Sequence, residues 1–218
     1  TVGSEPKIRV NGELVSLSNQ KLSRSQVKIA LYKLLDQKKL EVFEENDELD
    51  FAYEIKGVGR FRVNYFFQKG NPGGVFRYLS TEIKSLADLK MPLQLENLST
   101  MPRGLVLVTG PTGSGKSTTL AAVLDKVNRD RACHIITIED PIEYVHNHKK
   151  SIVNQREVGE DTESFKAALK HALRQDPDVI LVGELRDLET ISIALTAAET
   201  GHLVLASLHT QNAAQSVD

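Results

Sequence analysis

Apolar and polar residues alternate along a clear stretch in the first part of the chain. In Arg60–Phe67, every second residue from Phe61 onward is apolar, and polar residues such as Arg62 occupy the positions between. A period of two predicts a β-strand that buries one face and exposes the other. Similar stretches on either side of it predict two neighbouring strands.

Two short signals predict the remaining elements of this region. Asn11-Gly12 lies between two short apolar stretches, which is the sequence pattern of a tight β-hairpin. The pattern Ser23-x-x-Gln26, followed by apolar residues at helical spacing, predicts a helix N-terminus with a capping box. We therefore predict an α+β domain over residues 1–90.

From residue 104 onward, short apolar stretches alternate with apolar residues at helical spacing. The predicted strands are Leu105–Thr109, His134–Ile138, Val179–Val182 and Leu203–Ser207. Helices are predicted between them. Asp161 or Thr162 is the candidate N-cap of the helix that precedes the strand Val179–Val182. This alternation predicts an α/β domain over residues 104–218, with a mainly parallel sheet covered on both faces. The stretch 91–103 is predicted to be a linker.

Composition narrows the class of protein. The chain has 40% hydrophobic residues, 26% charged residues and a net charge of −2, so no overall basic character points to nucleic acid. No apolar run is long enough to span a bilayer, and no secretory signal opens the chain. Cys133 is the only cysteine, and we predict a cytoplasmic protein without disulfides. Both ends look cut, with a helix beginning just before Asp218, so a fragment is expected.

One segment matches the phosphate-binding P-loop pattern G-x-x-x-x-G-K-[ST] in full. An apolar strand precedes it and a helix follows, so backbone N–H groups and the helix N-terminus are predicted to face phosphate oxygens. Lys116 is predicted to bridge the β- and γ-phosphates of ATP, and Ser117 to offer Mg²⁺ a hydroxyl ligand. The predicted binding residues are Gly110, Pro111, Thr112, Gly113, Ser114, Gly115, Lys116, Ser117 and Thr118.

A second candidate follows the strand at Val179–Val182. P-loop proteins hold the magnesium shell with an acidic residue at such a strand end. Here Gly183 occupies the usual aspartate position and Glu184 follows it. Because Mg²⁺ keeps several waters, Glu184 is predicted to act on it through one of them. The alternative is that Glu184 is a solvated loop carboxylate.

Further candidates follow two other strands. Glu139 or Glu143 is a candidate to orient the attacking water, and the residues alone do not choose between them. The alternative is that Asp140 or a neighbour caps backbone N–H groups of the loop. His202 and His209 bracket the last strand and are candidates to contact phosphate, although strand-end histidines are more often structural.

Arginines on the strands of the first domain form another candidate group. Arg60, Arg62 and Arg77 are expected to be solvated or paired with carboxylates, as is usual on a polar strand face. The alternative is that they bring positive charge to the γ-phosphate. His146 has no partner at metal-ligand spacing and is expected at the surface.

The motifs together resemble the four signature boxes of the type II/IV secretion ATPases. The Walker A, Asp, atypical Walker B and His boxes correspond to Leu105–Thr118, Thr137–Tyr144, Asp176–Thr190 and Gly201–Thr210. Val153–Val158 and Ala194–Leu203 are similar to the pilus-retraction, or PilT-like, branch that serves twitching motility. The resemblance covers nearly the whole chain.

The resemblance implies a PAS-like N-terminal domain followed by a RecA-like P-loop ATPase domain. It implies that Glu143 is the catalytic glutamate and Glu184 the Walker B glutamate. The full set of implied catalytic residues is Lys116, Glu143, Glu184, His202 and His209. The implied γ-phosphate contacts from the N-terminal domain are Arg60, Arg62 and Arg77.

The resemblance also implies a function and partners. The expected function is an ATP-hydrolysing motor of type IV pilus retraction, assembled as a homo-hexamer at the cytoplasmic side of the inner membrane, with a pilus platform protein as partner. A pilus-extension or type II secretion ATPase shares all four boxes and is the first alternative. A nucleotide-binding regulator without turnover is the second. The chain lacks the part of the family pattern that follows the His box.

Overall fold

The structure is a computed structural model that describes residues 1–79 and 82–210. The chain divides into two compact units, Thr1–Leu79 and Ser80–Asp218, and each is described by itself. The helix expected just before Asp218 falls on residues outside the described part.

The first unit opens with the predicted hairpin. Strands β1 (Lys7–Val10) and β2 (Glu13–Ser16) pair in antiparallel fashion. Asn11 and Gly12 connect them with φ angles of 48° and 90°, which is the left-handed backbone that a tight hairpin turn requires. The turn sequence therefore fixes both the position and the length of this element.

Two helices follow the hairpin. Helix α1 (Arg24–Tyr32) begins with the predicted capping box, in which Ser23 and Gln26 exchange hydrogen bonds. Helix α2 (Gln37–Asn46) is capped by Asp36 and was not predicted, because its sequence is mostly polar. Phe43 is the buried residue of α2 and anchors it to the core of the unit.

A three-stranded antiparallel sheet completes the first unit. Its strands are β3 (Glu48–Ile55), β4 (Gly59–Gln68) and β5 (Asn71–Leu79), in the order β3-β4-β5. The alternation predicted for β4 is confirmed, because Val63 and Tyr65 are fully buried against the helices. The Tyr65 hydroxyl donates a hydrogen bond to the Leu31 carbonyl at 3.1 Å, so its polar atom is satisfied in the core.

The stretch 91–103, expected as a linker, contains a 3-10 helix at Leu93–Thr100. Leu95 and Leu98 of this helix pack against the core of the second unit. Arg131 donates a hydrogen bond to the Met101 carbonyl at 3.1 Å. This stretch is therefore a packed part of the second unit. The division of the chain into its two compact units falls after residue 79, whereas the sequence predicted it at residue 90.

The second unit is an α/β domain, as predicted. Its strands are β6 (Gly104–Thr109), β7 (His134–Glu139), β8 (Ile152–Glu157), β9 (Val179–Val182) and β10 (Leu203–Leu208). Its helices are α3 (Lys116–Asp130), α4 (Phe165–Ala172) and α5 (Leu188–Glu199). All neighbouring strands pair in parallel, in the order β6-β10-β9-β7-β8. Strand β8 was not predicted.

Helices cover both faces of this sheet. Ile135, Leu181 and Leu205 point to the face packed by α3, whereas their neighbours along each strand point to the face packed by α4 and α5. This alternation explains why the strands are continuously apolar in sequence.

Two smaller predictions about this unit are wrong. The cap of α4 is Ser164, whose side chain accepts a hydrogen bond from the Ala167 N–H. Asp161 instead accepts the Glu157 N–H in the preceding turn, at 2.8 Å. His146, in the loop between β7 and β8, is buried rather than at the surface. In the part of the chain that is described, no helix has the length and apolar character needed to cross a membrane.

Candidate nucleotide site

The candidate residues of the second unit collect at the carboxyl edge of its sheet. Gly110 follows β6, Asp140 follows β7, Gly183 follows β9 and His209 follows β10. Because all these strands are parallel, their carboxyl ends lie along one edge, which is where open α/β sheets bind ligands.

The P-loop connects β6 to α3 as the sequence predicts. Gly113 and Gly115 have φ angles of 80° and 94°, a backbone conformation that favours glycine. A Cβ atom at Gly110 would lie 2.7 Å from the Ser114 hydroxyl, so a side chain there would force the loop to move. The loop therefore curls tightly around the first turn of α3.

Lys116 is buried at the start of α3, and its ammonium lies inside the P-loop. Its Nζ donates hydrogen bonds to the carbonyls of Gly110 at 2.9 Å and Pro111 at 3.2 Å. A buried cation held by two neutral carbonyls, next to a helix N-terminus, fits the phosphates of a nucleotide. Ser117, exposed in the same turn, supplies the oxygen type that Mg²⁺ prefers.

Glu184 is held by two basic side chains. Its carboxylate accepts a hydrogen bond from Arg186 at 2.9 Å, and His209 Nε2 lies 3.2 Å from its other oxygen. Arg186 also reaches Asp140 at 3.5 Å and so joins the ends of β7 and β9. Sequence reasoning had not singled out Arg186, whose signal was only its position two residues after Glu184. The pKa of Arg186 is raised, first by its hydrogen bond to Glu184.

Steric crowding explains why a glycine, Gly183, precedes Glu184. A Cβ atom at Gly183 would lie 3.3 Å from both the Glu139 Cα and the Ile138 carbonyl oxygen. The Gly183 N–H also donates a hydrogen bond to that Ile138 carbonyl at 2.8 Å. A side chain at position 183 would therefore require the β7 backbone to shift by a few tenths of an ångström.

The two glutamates that the sequence left open have different surroundings. The Glu139 carboxyl accepts hydrogen bonds from Thr137 at 2.6 Å and Gln155 at 3.2 Å. Burial raises the pKa of Glu139 to about 7, and these hydrogen bonds offset part of that effect. Glu143 is half-buried in the loop that follows β7. The Glu139 carboxyl is therefore already engaged by neighbouring side chains.

The loop carrying Glu143 contacts the P-loop helix directly. The hydroxyl groups of Tyr144 and Thr118 are 3.0 Å apart. Thr118 lies in the first turn of α3, next to Ser117. The structure therefore brings together the P-loop, Glu184, His209 and the Glu143 loop.

His202 lies elsewhere. His202 comes just before β10, and His209 comes just after it. Because a strand rises about 3.3 Å per residue, the two histidines are roughly 20 Å apart. The His202 Nδ1 is 2.9 Å from the Ala197 carbonyl at the end of α5. This placement favours a structural role for His202 in capping α5. The predicted contact with phosphates would require His202 to lie at the carboxyl edge of the sheet, and it lies at the opposite edge.

The candidate arginines lie in the first unit. Arg62 of β4 is directly opposite Arg77 of β5 in the antiparallel register, and Arg60 is opposite Leu79. Residues directly opposite each other share a face, so Arg62 and Arg77 are cross-strand neighbours on this sheet. Like charges directly opposite each other destabilise a strand pair.

A parallel sheet with a P-loop, a buried lysine and strand-end carboxylates defines the class of P-loop α/β domains. Residues 59–218 match the family described as Type II/IV secretion system protein, and the chain belongs to that family. The resemblance found in the sequence and the predicted fold class are both confirmed by this match and by the relatives below.

Two curated relatives align with essentially the whole chain. The protein named Type IV pilus retractation ATPase PilT, from Pseudomonas aeruginosa, is 53% identical over 218 residues. The alignment covers 100% of this chain and 63% of that protein. The Twitching motility protein of Neisseria gonorrhoeae is 50% identical over 213 residues, which cover 98% of this chain and 57% of that protein. The chain thus spans about three fifths of the relatives' length.

A solved structure agrees with both units. The crystal structure of the pilus retraction motor PilT with bound ADP superimposes with a TM-score of 0.96 at 51% identity. The match covers 100% of this chain and 64% of that chain.

Proposed function

We propose that this chain is the N-terminal domain and ATPase core of a motor that hydrolyses Mg-ATP to drive type IV pilus retraction. The observation that carries the proposal is the convergence of the P-loop, Glu184 and the Glu143 loop at one sheet edge. Full-chain similarity to proteins named for pilus retraction and twitching motility supports retraction of the pilus over its extension.

ATP binds with its phosphates in the P-loop. Lys116 exchanges the Gly110 and Pro111 carbonyls for β- and γ-phosphate oxygens, which are stronger acceptors because they are charged. Ser117 and Glu184 would hold the Mg²⁺ that accompanies ATP, and the ion would supply positive charge to the transferred phosphoryl group.

Glu143 orients the attacking water. It belongs to the loop that touches the P-loop helix, whereas the Glu139 carboxyl already accepts hydrogen bonds from Thr137 and Gln155. Arg186 and His209 fix the Glu184 carboxylate before nucleotide arrives. Because these groups are already oriented, little free energy is needed to reorganise them when the reaction occurs.

The first unit contributes positive charge to the γ-phosphate. The adjacent guanidinium groups of Arg62 and Arg77 repel each other, and a phosphate between them relieves that repulsion. Arg60, on the same strand, is the third candidate. The proposal requires a homo-hexameric ring in which rotation between the two units couples turnover to a pilus platform protein at the inner membrane.

Deletion of the gene in its own bacterium tests this proposal. A retraction motor leaves excess surface pili and no twitching when it is deleted, and Lys116→Ala does not restore twitching. Loss of surface pili would identify an extension motor, and loss of secretion with normal pili would identify a secretion ATPase. Restoration by Lys116→Ala would identify a regulator that acts without turnover.

A further inference from the structure

Gln155 lies on the edge strand β8, within the segment Val153–Val158 that resembles the retraction branch. In the parallel register it lies beside Thr137 of β7, two residues before Glu139 at the end of that strand. Gln155 is half-buried, and its amide points toward the loop that follows β7.

The Gln155 amide makes three hydrogen bonds, all to the segment 139–146. Its Nε2 donates to the Tyr144 carbonyl at 2.9 Å and to Glu139 Oε1 at 3.2 Å. Its Oε1 accepts the His146 N–H at 2.7 Å. One side chain therefore uses both its donor and its acceptor atoms on this segment.

These contacts surround Glu143 in the chain. Glu139 lies before it, and Tyr144 and His146 lie after it. The Glu143 backbone N–H lowers the pKa of the same Glu139 carboxyl that Gln155 contacts, so it lies close to that carboxyl. On the opposite side, the Tyr144 hydroxyl is fixed to Thr118 of α3. The backbone around Glu143 is thus held between the edge strand and the P-loop helix.

We propose that Gln155 is a positioning residue that holds Glu143 at the distance from the P-loop that the attacking water requires. This inference rests on the proposed catalytic role of Glu143. Loss of the amide leaves the Tyr144 carbonyl and the His146 N–H without these partners, and leaving such polar groups unsatisfied is unfavourable. The loop relaxes to avoid this cost, and a displacement of about 1 Å lowers a reaction rate roughly 100-fold.

The test compares ATP turnover and nucleotide affinity in the full-length, assembled protein. Gln155→Leu keeps the approximate size and removes all three hydrogen bonds. Gln155→Glu keeps the acceptor for the His146 N–H and removes both donations. Asn154→Leu is the matched control, because Asn154 is the neighbouring amide on β8 and contacts His134 instead of the loop.

We expect both Gln155 variants to lower kcat at least tenfold, with KM for ATP and Kd for ADP within twofold of wild type. Asn154→Leu retains the wild-type kcat. A purely structural role would reduce nucleotide affinity together with turnover, so loss of ADP binding in both Gln155 variants would contradict the proposal. Wild-type kcat in both would also contradict it.

A double-mutant cycle with Glu143→Gln separates this inference from the proposed function. If Gln155 acts through Glu143, Gln155→Leu changes the residual turnover of Glu143→Gln by less than twofold. A further tenfold loss would show that Gln155 acts independently of Glu143 and would overturn the inference alone. Wild-type turnover by Glu143→Gln would instead overturn the proposed role of Glu143.

Discussion

In the second unit the candidate residues follow the ends of strands, whereas in the first unit they lie within strands. Gly110, Glu184 and the Glu143 loop are placed by backbone connections at one sheet edge. Arg62 and Arg77 are placed only by the register of two antiparallel strands. The second unit therefore presents backbone N–H groups as well as side chains to a ligand, and the first unit presents side chains.

This difference predicts different consequences of substitution. Changes at the strand ends of the second unit should affect nucleotide binding or the chemical step directly. Changes on the sheet face of the first unit should affect the chemical step while leaving binding intact, since the nucleotide is already held by the P-loop. Substitutions in each unit can therefore separate effects on nucleotide binding from effects on the chemical step.

Lys116→Ala is expected to have the largest effect. It removes the cation that faces phosphate, and the lost charge-assisted hydrogen bonds are worth about 3 kcal/mol, or roughly 100-fold in ADP affinity. The fold is expected to be retained, because the hydrogen bonds of Lys116 Nζ to described residues go to two carbonyls of its own loop. Binding of fluorescent ADP to the full-length protein measures the effect. Lys126→Ala, on the same helix, is the control and binds normally; equal affinity of the two variants would contradict the assignment.

The pH dependence of stability tests the packing beneath the site. Burial raises the pKa of Glu139 to about 7 from the usual 4.5, so the folded state holds a proton between pH 4.5 and 7 that the unfolded state releases. The resulting stabilisation, about 3 kcal/mol, is complete below pH 4.5 and lost as the pH rises to 7. Burial lowers the pKa of His146 to about 4, so its contribution is complete above pH 6.5 and lost as the pH falls to 4.

The two slopes oppose each other, so the wild-type protein should show little net change in unfolding free energy between pH 5 and 6.5. Glu139→Gln should leave a stability that rises with pH over this range, and His146→Gln one that falls. Urea unfolding at several pH values measures both slopes. The same slope in both variants would show that these groups are not buried as described.

Arg77→Ala is expected to have the smallest effect and the most specific one. It lowers turnover about tenfold, since one cation near the γ-phosphate is lost, with ADP affinity unchanged. It also stabilises the protein by up to about 1 kcal/mol, because it removes the repulsion of Arg62 across the strand pair. Steady-state ATP turnover and thermal melting measure the two effects. Arg9→Ala on β1 serves as the control, and unchanged turnover in Arg77→Ala would remove the first unit from the site.

Much of this arrangement can be predicted from local sequence. The P-loop, the apolar strands and the Asn11-Gly12 turn depend on residues close together in the chain, and all three are found in the structure. The buried face of β4 likewise follows from a period of two. Local signals of this kind need no information about tertiary packing.

The remaining features depend on contacts between distant residues. Strand β8 was not predicted, because its exposed edge position leaves polar residues on both faces, and the role of Gln155 was missed with it. The pairing of Glu184 with Arg186 and His209 joins two strand ends. The crowding at Gly183 depends on how closely β7 and β9 approach each other, which sequence spacing does not give.

The proposed mechanism depends above all on Glu143, which activates water for a nucleotide held by the P-loop. ATP turnover and ATP affinity of the full-length protein should therefore be measured side by side with those of Glu143→Gln. We expect Glu143→Gln to bind Mg-ATP as tightly as wild type and to hydrolyse it at least 100-fold more slowly. Equal rates of hydrolysis in the two proteins would show that Glu143 does not activate the water.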